Sequence, residues 1–315
     1  MIYIGVDLGG TNIAVGLVDE NGTILCKKDT PTLVERGYEP IVSDMGKLAL
    51  EMLEEKGISM DEVASIGVGI PGIGNNDTGR VIFCTNLGWH DVPLRDVLQR
   101  YIPKPVFMDN DATGAALAEN VAGVSAGSTN SVFLTLGTGL GGGSIIDGKV
   151  YAGTHHITQE FGHMIVEATD GEPCTCGQSG CWERYASATG MINMAKRALE
   201  QTKDSALWTA CGGNPDTIDA KMIVDASKAG DPVAQGVFRK YIRYLAIGLT
   251  NIINILDPEI IALGGGVSHA GDYLLDAVRE ELAKFVFYKT EPYARIELAS
   301  LGNDAGIIGA AMLGK

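Results

Sequence analysis

The chain of 315 residues carries 24 Lys and Arg against 39 Asp and Glu, a net charge of −15, with 45% hydrophobic and 20% charged residues. That balance provides for a sizeable core and excludes a disordered chain. The acidity leaves no electrostatic footprint for nucleic acid or an anionic membrane.

At ~150 residues per domain the length accommodates two domains. The 42 glycines are nearly twice the usual share of ~7% and place many special turns along the chain. The opening Met1-Ile2-Tyr3-Ile4-Gly5-Val6-Asp7 has no basic stretch and meets an acid at its seventh residue, so no secretory signal is expected. Ile2–Asp7, Asn12–Val18 and Thr23–Lys28 read as three strands, the last two joined by the hairpin turn Asp19-Glu20-Asn21-Gly22. Ile41, Met45, Leu48, Ala49, Met52 and Leu53 recur at helical spacing and stop at Gly57. Ala64–Ile70 and Pro105–Asp109 read as strands, the second running into a helix from about Ala112 to Val121. Ser131–Leu136 and Gly143–Ile146 are strands again, and helices dominate from Ala186. Asp231-Pro232 supplies a cap and a first-turn proline for a long helix reaching Leu256. Glu259–Leu263 returns to strand, and Asp304–Leu313 reads as a small-residue helix. The apolar region Tyr244–Gly264 is interrupted by Thr250, Asn251, Asn254, Asp257 and Glu259, so it is not a membrane span. A soluble cytoplasmic protein is expected.

A repeat recurs at an offset of 128 residues. Ile4-Gly5-Val6-Asp7-Leu8-Gly9-Gly10-Thr11 matches Val132-Phe133-Leu134-Thr135-Leu136-Gly137-Thr138-Gly139, and Asp19 matches Asp147. Two similar hairpins could arise by chance. A duplicated domain, each half presenting one Gly-rich turn to a shared cleft, is the sharper reading, and such a cleft would bind a small ligand.

Three glycine turns end strands: Gly9-Gly10-Thr11-Asn12 after Asp7, Gly137-Thr138-Gly139, and Gly264-Gly265-Gly266. Without a Cβ in the way, their backbone N–H groups can face a phosphate. Asp7 can reach a metal ion or its water. Neither G-x-x-x-x-G-K-[ST] nor G-x-G-x-x-G is satisfied, which argues against a P-loop and a Rossmann site. Asp109-Asn110-Asp111 joins a strand to a helix. Asp111 reads either as a helix N-cap or as a general base, with Asn110 holding a substrate hydroxyl. Six cysteines are too sparse for a disulfide scaffold. His163 with Cys174, Cys176 and Cys181 makes the Cys₃His composition of a closed structural zinc site.

Together these residues resemble the ROK family of sugar kinases and related repressors over essentially the whole chain. The most specific part is Glu160-x-Gly162-His163 with Cys174-x-Cys176-Gly177-x-x-Gly180-Cys181-x-Glu183. The resemblance implies an α/β, two-lobed actin/hexokinase-like (ribonuclease H-like) ATPase fold with duplicated domains. The smaller lobe would be residues 1–116 plus about 302–315. The larger, 117–301, would carry the zinc. It also implies ATP and Mg²⁺ held by Asp7, Gly9, Gly10, Thr11, Asn12, Gly137, Thr138, Gly139, Gly265 and Gly266, with Asp111 as catalytic base. Gly72, Asn110, Asp111, Glu160, His163 and Glu183 would bind the sugar. Zn²⁺ would sit on His163, Cys174, Cys176 and Cys181, so that one ring nitrogen of His163 holds the metal and the other faces the sugar.

Gly69-Ile70-Pro71-Gly72 and Thr85-Asn86-Leu87-Gly88-Trp89 look most like the family's glucose-specific members. The implied reaction is ATP-dependent phosphorylation of glucose to glucose 6-phosphate. The alternatives are N-acetylmannosamine, N-acetylglucosamine or fructose as the acceptor. A homodimer is implied, with no nucleic-acid or membrane partner. A sugar-sensing repressor would need a DNA-binding region before Asp7, and the charge opposes DNA binding. A filament-forming ATPase would give the Cys₃His set no role.

Overall fold

The computed structural model describes residues 1–154 and 159–315. Contacts divide the chain into two compact units. One comprises Met1–Phe133, Gly143–Thr158 and Ser300–Lys315, the other Leu134–Gly142 and Gln159–Ala299. Among the described residues no helix is long and apolar enough to cross a membrane.

The first sheet has the order β3-β2-β1-β4-β8, built from β1 (Ile2–Leu8), β2 (Asn12–Asp19), β3 (Ile24–Pro31), β4 (Val63–Ile70) and β8 (Val106–Asn110). The β1–β2 pair is antiparallel, from Ile2 opposite Asp19 to Leu8 opposite Ile13, which leaves a short turn at Gly9–Thr11. Strand β4 runs parallel to both β1 and β8. These three strands therefore finish at one edge of the sheet, where Asp7 and Asp111 lie. On one face, Ile4, Val6, Ile13 and Val15 join Ile41, Met45 and Met52 in a buried cluster. The latter three come from α1 (Tyr38–Lys56). Burying such side chains stabilises by about 1.5–3 kcal/mol each.

The other face carries α3 (Asp111–Ala122) and α10 (Ala305–Met312). A Cβ at Gly5 would overlap the Ile307 carbonyl oxygen, and one at Gly67 that of Ala310. Glycine at these two strand positions lets α10 lie flat on the sheet. This explains a helix made of small residues. Beside it, a smaller antiparallel sheet joins β5 (Ile73–Asn75), β6 (Arg80–Cys84) and β7 (Trp89–Val92), next to the short helix α2 (Leu94–Leu98).

The second sheet repeats the plan in the order β11-β10-β9-β12-β13. Its strands are β9 (Ser131–Leu136), β10 (Leu140–Ile146), β11 (Lys149–Val150), β12 (Ile260–Gly264) and β13 (Arg295–Leu298). Here too a hairpin ribbon leads into parallel strands, as the pairing of β12 with β13 shows. This is the duplication signalled by the 128-residue repeat. Strand β10 starts three residues earlier than the sequence pattern indicates. Gly141–Gly143 lie in the strand, and position 143 needs glycine because a Cβ there would press on Thr113 and Ala116 of α3.

Between β11 and β12 run α4 (Glu183–Ala186), α5 (Ala188–Gln201), α6 (Ala206–Ala210), α7 (Ala220–Lys228) and α8 (Pro232–Leu256). Helix α9 (Asp272–Phe285) follows β12. The expected start of α8 is present: the Asp231 carboxylate accepts from the Ala234 N–H at 2.8 Å and Pro232 occupies the first turn. The same carboxylate also accepts from the Ala206 N–H at 2.6 Å and the Ser205 hydroxyl at 3.0 Å. One buried side chain thus caps two helices. Burial pushes its pKa up, but these hydrogen bonds outweigh burial and hold it below the ordinary carboxylate range.

Asp231→Ala should destabilise the chain by about 2 kcal/mol, the upper end for a helix cap. A lowered folded pKa gives stability that is present above about pH 4 and lost as pH falls through the folded value. Urea melts of both proteins at pH 7 and pH 3 check this: the gap between them should shrink at pH 3.

Candidate active site

In the first unit the site grows from the ends of β1 and β8. The Gly9 N–H closes the turn on the Asn12 carbonyl at 2.9 Å. The turn is pinned from outside by Thr32, which is fully buried. Its hydroxyl donates to the Gly9 carbonyl at 2.7 Å and its N–H to the Thr11 carbonyl at 2.8 Å. Sequence reasoning missed Thr32, because nothing local marks a residue that acts across a hairpin. Asn86 comes up beside the same turn, 3.9 Å from where a Gly10 Cβ would stand.

Asp7 ends the apolar run of β1, and its carboxylate packs where a side chain on Gly306 would otherwise sit. Burial first, and then the charge of Asp111, push its pKa up to about 6. Asp111 is the first residue of α3, and the cap is Asn110, whose Oδ1 accepts from the Ala112 N–H at 2.9 Å. The Asp111 carboxylate accepts from the same N–H at 2.8 Å. Solvent reaches Asp111, yet the protein around it desolvates the carboxyl enough to raise its pKa against that hydrogen bond. The Asn110 amide nitrogen lies 3.5 Å from the Gly72 carbonyl. Gly72 must be glycine, since a Cβ would run into the Phe83 carbonyl.

In the second unit, a 3₁₀ turn over Phe161–His163 follows Glu160. His163 Nδ1 lies 3.7 Å from Cys174 Sγ, and Cys176 Sγ lies 3.5 Å from Cys181 Sγ. All four ligand atoms fall within 4.8 Å of one another. Zinc–sulfur bonds of about 2.3 Å in a tetrahedron would separate the sulfurs by ~3.8 Å, so these residues fit a zinc ion. The knuckle is shaped by Gly177 (φ +89°) and Gly180 (φ +82°). The Gln178 N–H, with the neighbouring thiols, draws the Cys176 pKa down. Burial and those thiols push Cys181 up to about 12. A divalent cation among them favours the thiolate on all three. His163 Nε2 lies 3.9 Å from Glu160 Oε2.

Glu183 joins the knuckle to the Gly137–Gly139 turn. Its Oε1 is 3.2 Å from Cys174 Sγ, and its Oε2 is 3.0 Å from where a Gly139 Cβ would stand. The Gly137 N–H bonds the Gly139 carbonyl at 3.0 Å, which closes the Gly137–Thr138–Gly139 turn. Gly265 (φ +82°) lies against β9, and a Cβ there would stand 2.6–2.8 Å from the Leu136 backbone. Two of the three glycine turns are therefore neighbours. Beside Gly266 opens a cavity of about 210 Å³, lined also by Lys221, Lys228, Val267 and His269. The lysines went unnoticed in the sequence, although Lys221, Asp225 and Lys228 share one face of α7.

The structure thus gathers Asp7, Gly9, Gly10, Thr11, Asn12, Gly72, Asn110 and Asp111 in one unit. Gly137, Thr138, Gly139, Glu160, His163, Cys174, Cys176, Cys181, Glu183, Gly265 and Gly266 lie in the other.

The ROK family model matches residues 3–315. The chain belongs to the ROK family. A glucokinase of Halalkalibacterium halodurans is 36% identical over 99% of this chain and 94% of its own length. One of Streptomyces coelicolor is 38% identical over 100% and 98%. The crystal structure of a ROK family glucokinase from Streptomyces griseus, in complex with glucose and AMPPNP, superimposes with a TM-score of 0.80 at 37% identity and covers 99% of both chains. The fold of this ROK protein is therefore the duplicated actin/hexokinase-like one that the resemblance implied.

The raised Asp7 pKa has a thermodynamic consequence for this ROK chain. An acid of folded pKa about 6 and ordinary value 3.8 costs stability as pH rises from about 4 to 6, and the cost is constant above that. Asp7→Asn should therefore raise the melting temperature of the ligand-free chain at pH 7.5, by up to about 3 kcal/mol of stability, and change little at pH 4. Calorimetry at both pH values checks it.

Proposed function

We propose that this chain is an ATP-dependent hexose kinase that transfers the γ-phosphoryl group of ATP to the 6-hydroxyl of glucose. The observation that carries the reading is Glu183, whose two carboxylate oxygens face the zinc knuckle and the Gly137–Gly139 turn. Groups suited to sugar hydroxyls thus stand one side chain from groups suited to phosphate. Full-length likeness to glucokinases supports glucose as the acceptor.

In this reading Glu160, His163, Glu183, Asn110 and the Gly72 backbone hold the sugar hydroxyls. Asp111 accepts the proton of the 6-hydroxyl as its oxygen bonds to the γ-phosphorus and the bond to the ADP oxygen breaks. A carboxyl pKa raised by burial suits that proton transfer. The N–H groups of the Gly9–Thr11, Gly137–Gly139 and Gly265–Gly266 turns receive the phosphates, and the cavity beside Gly266 receives the nucleoside. Asp7 would hold Mg²⁺ or its water, and the ion would neutralise charge on the phosphates. Zinc on His163 Nδ1, Cys174, Cys176 and Cys181 would fix the imidazole plane and leave Nε2 for the sugar.

A coupled assay with ATP and a sugar panel tests the function. Turnover should be highest with glucose, and highest turnover with N-acetylmannosamine or fructose would reassign the acceptor. Asp111→Asn should lower kcat by roughly 10²–10⁴-fold while glucose still binds by calorimetry. A variant retaining a tenth of kcat would remove Asp111 from the proton transfer.

The chain as purified should hold about one zinc ion. Cys176→Ser should lower zinc content and raise the KM for glucose more than that for ATP. Elemental analysis and kinetics on the same preparation check this, and active protein without metal would refute the zinc assignment.

A further inference from the structure

Helix α8 contributes no residue to the candidate site, yet the two turns that carry His163 and Glu183 both rest on one of its faces. Trp182 stands between Cys181 and Glu183 and is wholly buried. Its indole Nε1 donates to the Tyr244 carbonyl at 2.8 Å. Its ring lies against the helix backbone at Gly248, where a Cβ would overlap the indole carbons. The Tyr244 ring stacks on Tyr185, centroids 4.2 Å apart and planes at 22°. The Tyr244 hydroxyl donates to Glu167 at 3.2 Å. Two turns beyond Tyr244, the Asn251 amide reaches the Met164 sulfur at 3.7 Å. Met164 follows His163 directly, and its carbonyl accepts from the Trp182 N–H at 2.8 Å. Residues 244, 248 and 251 are spaced by four and three, which makes them one stripe on the helix. The stripe supports the His163 turn through Met164 and the Glu183 turn through Trp182, with a notch at Gly248 between the two polar contacts.

We propose that Gly248, with Trp182 seated in its notch, is a positioning residue that sets the separation of Glu183 from His163 and thereby governs how tightly the sugar is held. The inference rests on the kinase reading, which assigns both side chains to the sugar. A side chain at position 248 meets a ring that a close-packed interior does not let slide inward. Trp182 moves outward, Cys181 is held by its sulfur neighbours, and the displacement passes to Glu183. Sugar binding suffers and nucleotide binding does not.

The test compares the wild-type chain with Gly248→Ala, Trp182→Phe and the double variant. KM for glucose, KM for ATP, kcat and zinc per chain are measured on each. Gly248→Ala should raise the glucose KM about tenfold, in keeping with the sensitivity of such sites to shifts of an ångström. The ATP KM should stay within about twofold and zinc should be unchanged. The double variant should recover part of the loss, because phenylalanine lacks the Cζ2 edge, one of the three indole carbons that the new methyl meets. An unchanged glucose KM, a parallel rise in the ATP KM, or no recovery in the double variant overturns the inference. Should Gly248→Ala fail to fold, Trp182→Phe decides alone. Loss of the indole hydrogen bond should raise the glucose KM by about threefold with zinc retained, and an unchanged KM overturns the proposal. A wild-type chain that phosphorylates no hexose refutes the kinase reading and the inference with it. An active wild type beside an unaffected variant refutes the inference alone.

Discussion

Two carboxylates of like charge stand at the ends of β1 and β8, the parallel strands on either side of β4, and burial penalises the ionised form of each. Nothing in the local chain favours that arrangement. It persists because the sheet beneath leaves no room to relax it. Strand β1 is packed on one face by α1 and on the other by α10, which approaches as closely as two backbones allow. Asp7 and Asp111 are therefore held in place by the fold alone, and a cation or a proton bound there would relieve a repulsion already present. The core of the first unit stabilises what its edge destabilises.

The second unit repeats the strand plan and departs from it in what is inserted. In the first unit a single helix, α1, separates the hairpin ribbon from the next parallel strand. In the second, more than a hundred residues do, from Tyr151 to Glu259. That insertion contributes the Cys₃His knuckle, Glu183 and helices α4 to α8. Duplication thus accounts for the sheets and the turns at their ends. It does not account for the knuckle and Glu183, which come from material that one half has and the other lacks.

The sheet strands and the long helices were legible because each is written in adjacent residues. The apolar runs of β1, β4 and β9 and the Asp231-Pro232 start of α8 depend on little beyond their own neighbourhood. The Cys₃His knuckle was legible for the same reason, since its four side chains fall within a short stretch of chain. What escaped was set by distant partners. Strands β5 to β7 carry half-exposed Ile73, Ile82 and Phe83, so no buried face gives them a pattern. The glycine at 143 answers to α3, which leaves no room there for a Cβ. Asn110 and Asp111 are both good caps, and the backbone alone decides that Asn110 takes the role. Thr32 earns its place only once the hairpin has formed.

The seating of Trp182 on α8 links segments 62 residues apart, whereas His163 and Cys174 are separated by 11 and Cys176 and Cys181 by 5. Closing the short loops costs less entropy than closing the long one. As the chain leaves the ribosome, the knuckle can close while α8 is still being made, and its large indole then waits in water for a partner. Burial of that ring must wait for α8, so a chain truncated before Gly248 would present the knuckle with an exposed apolar flank, a ready target for chaperones and proteases.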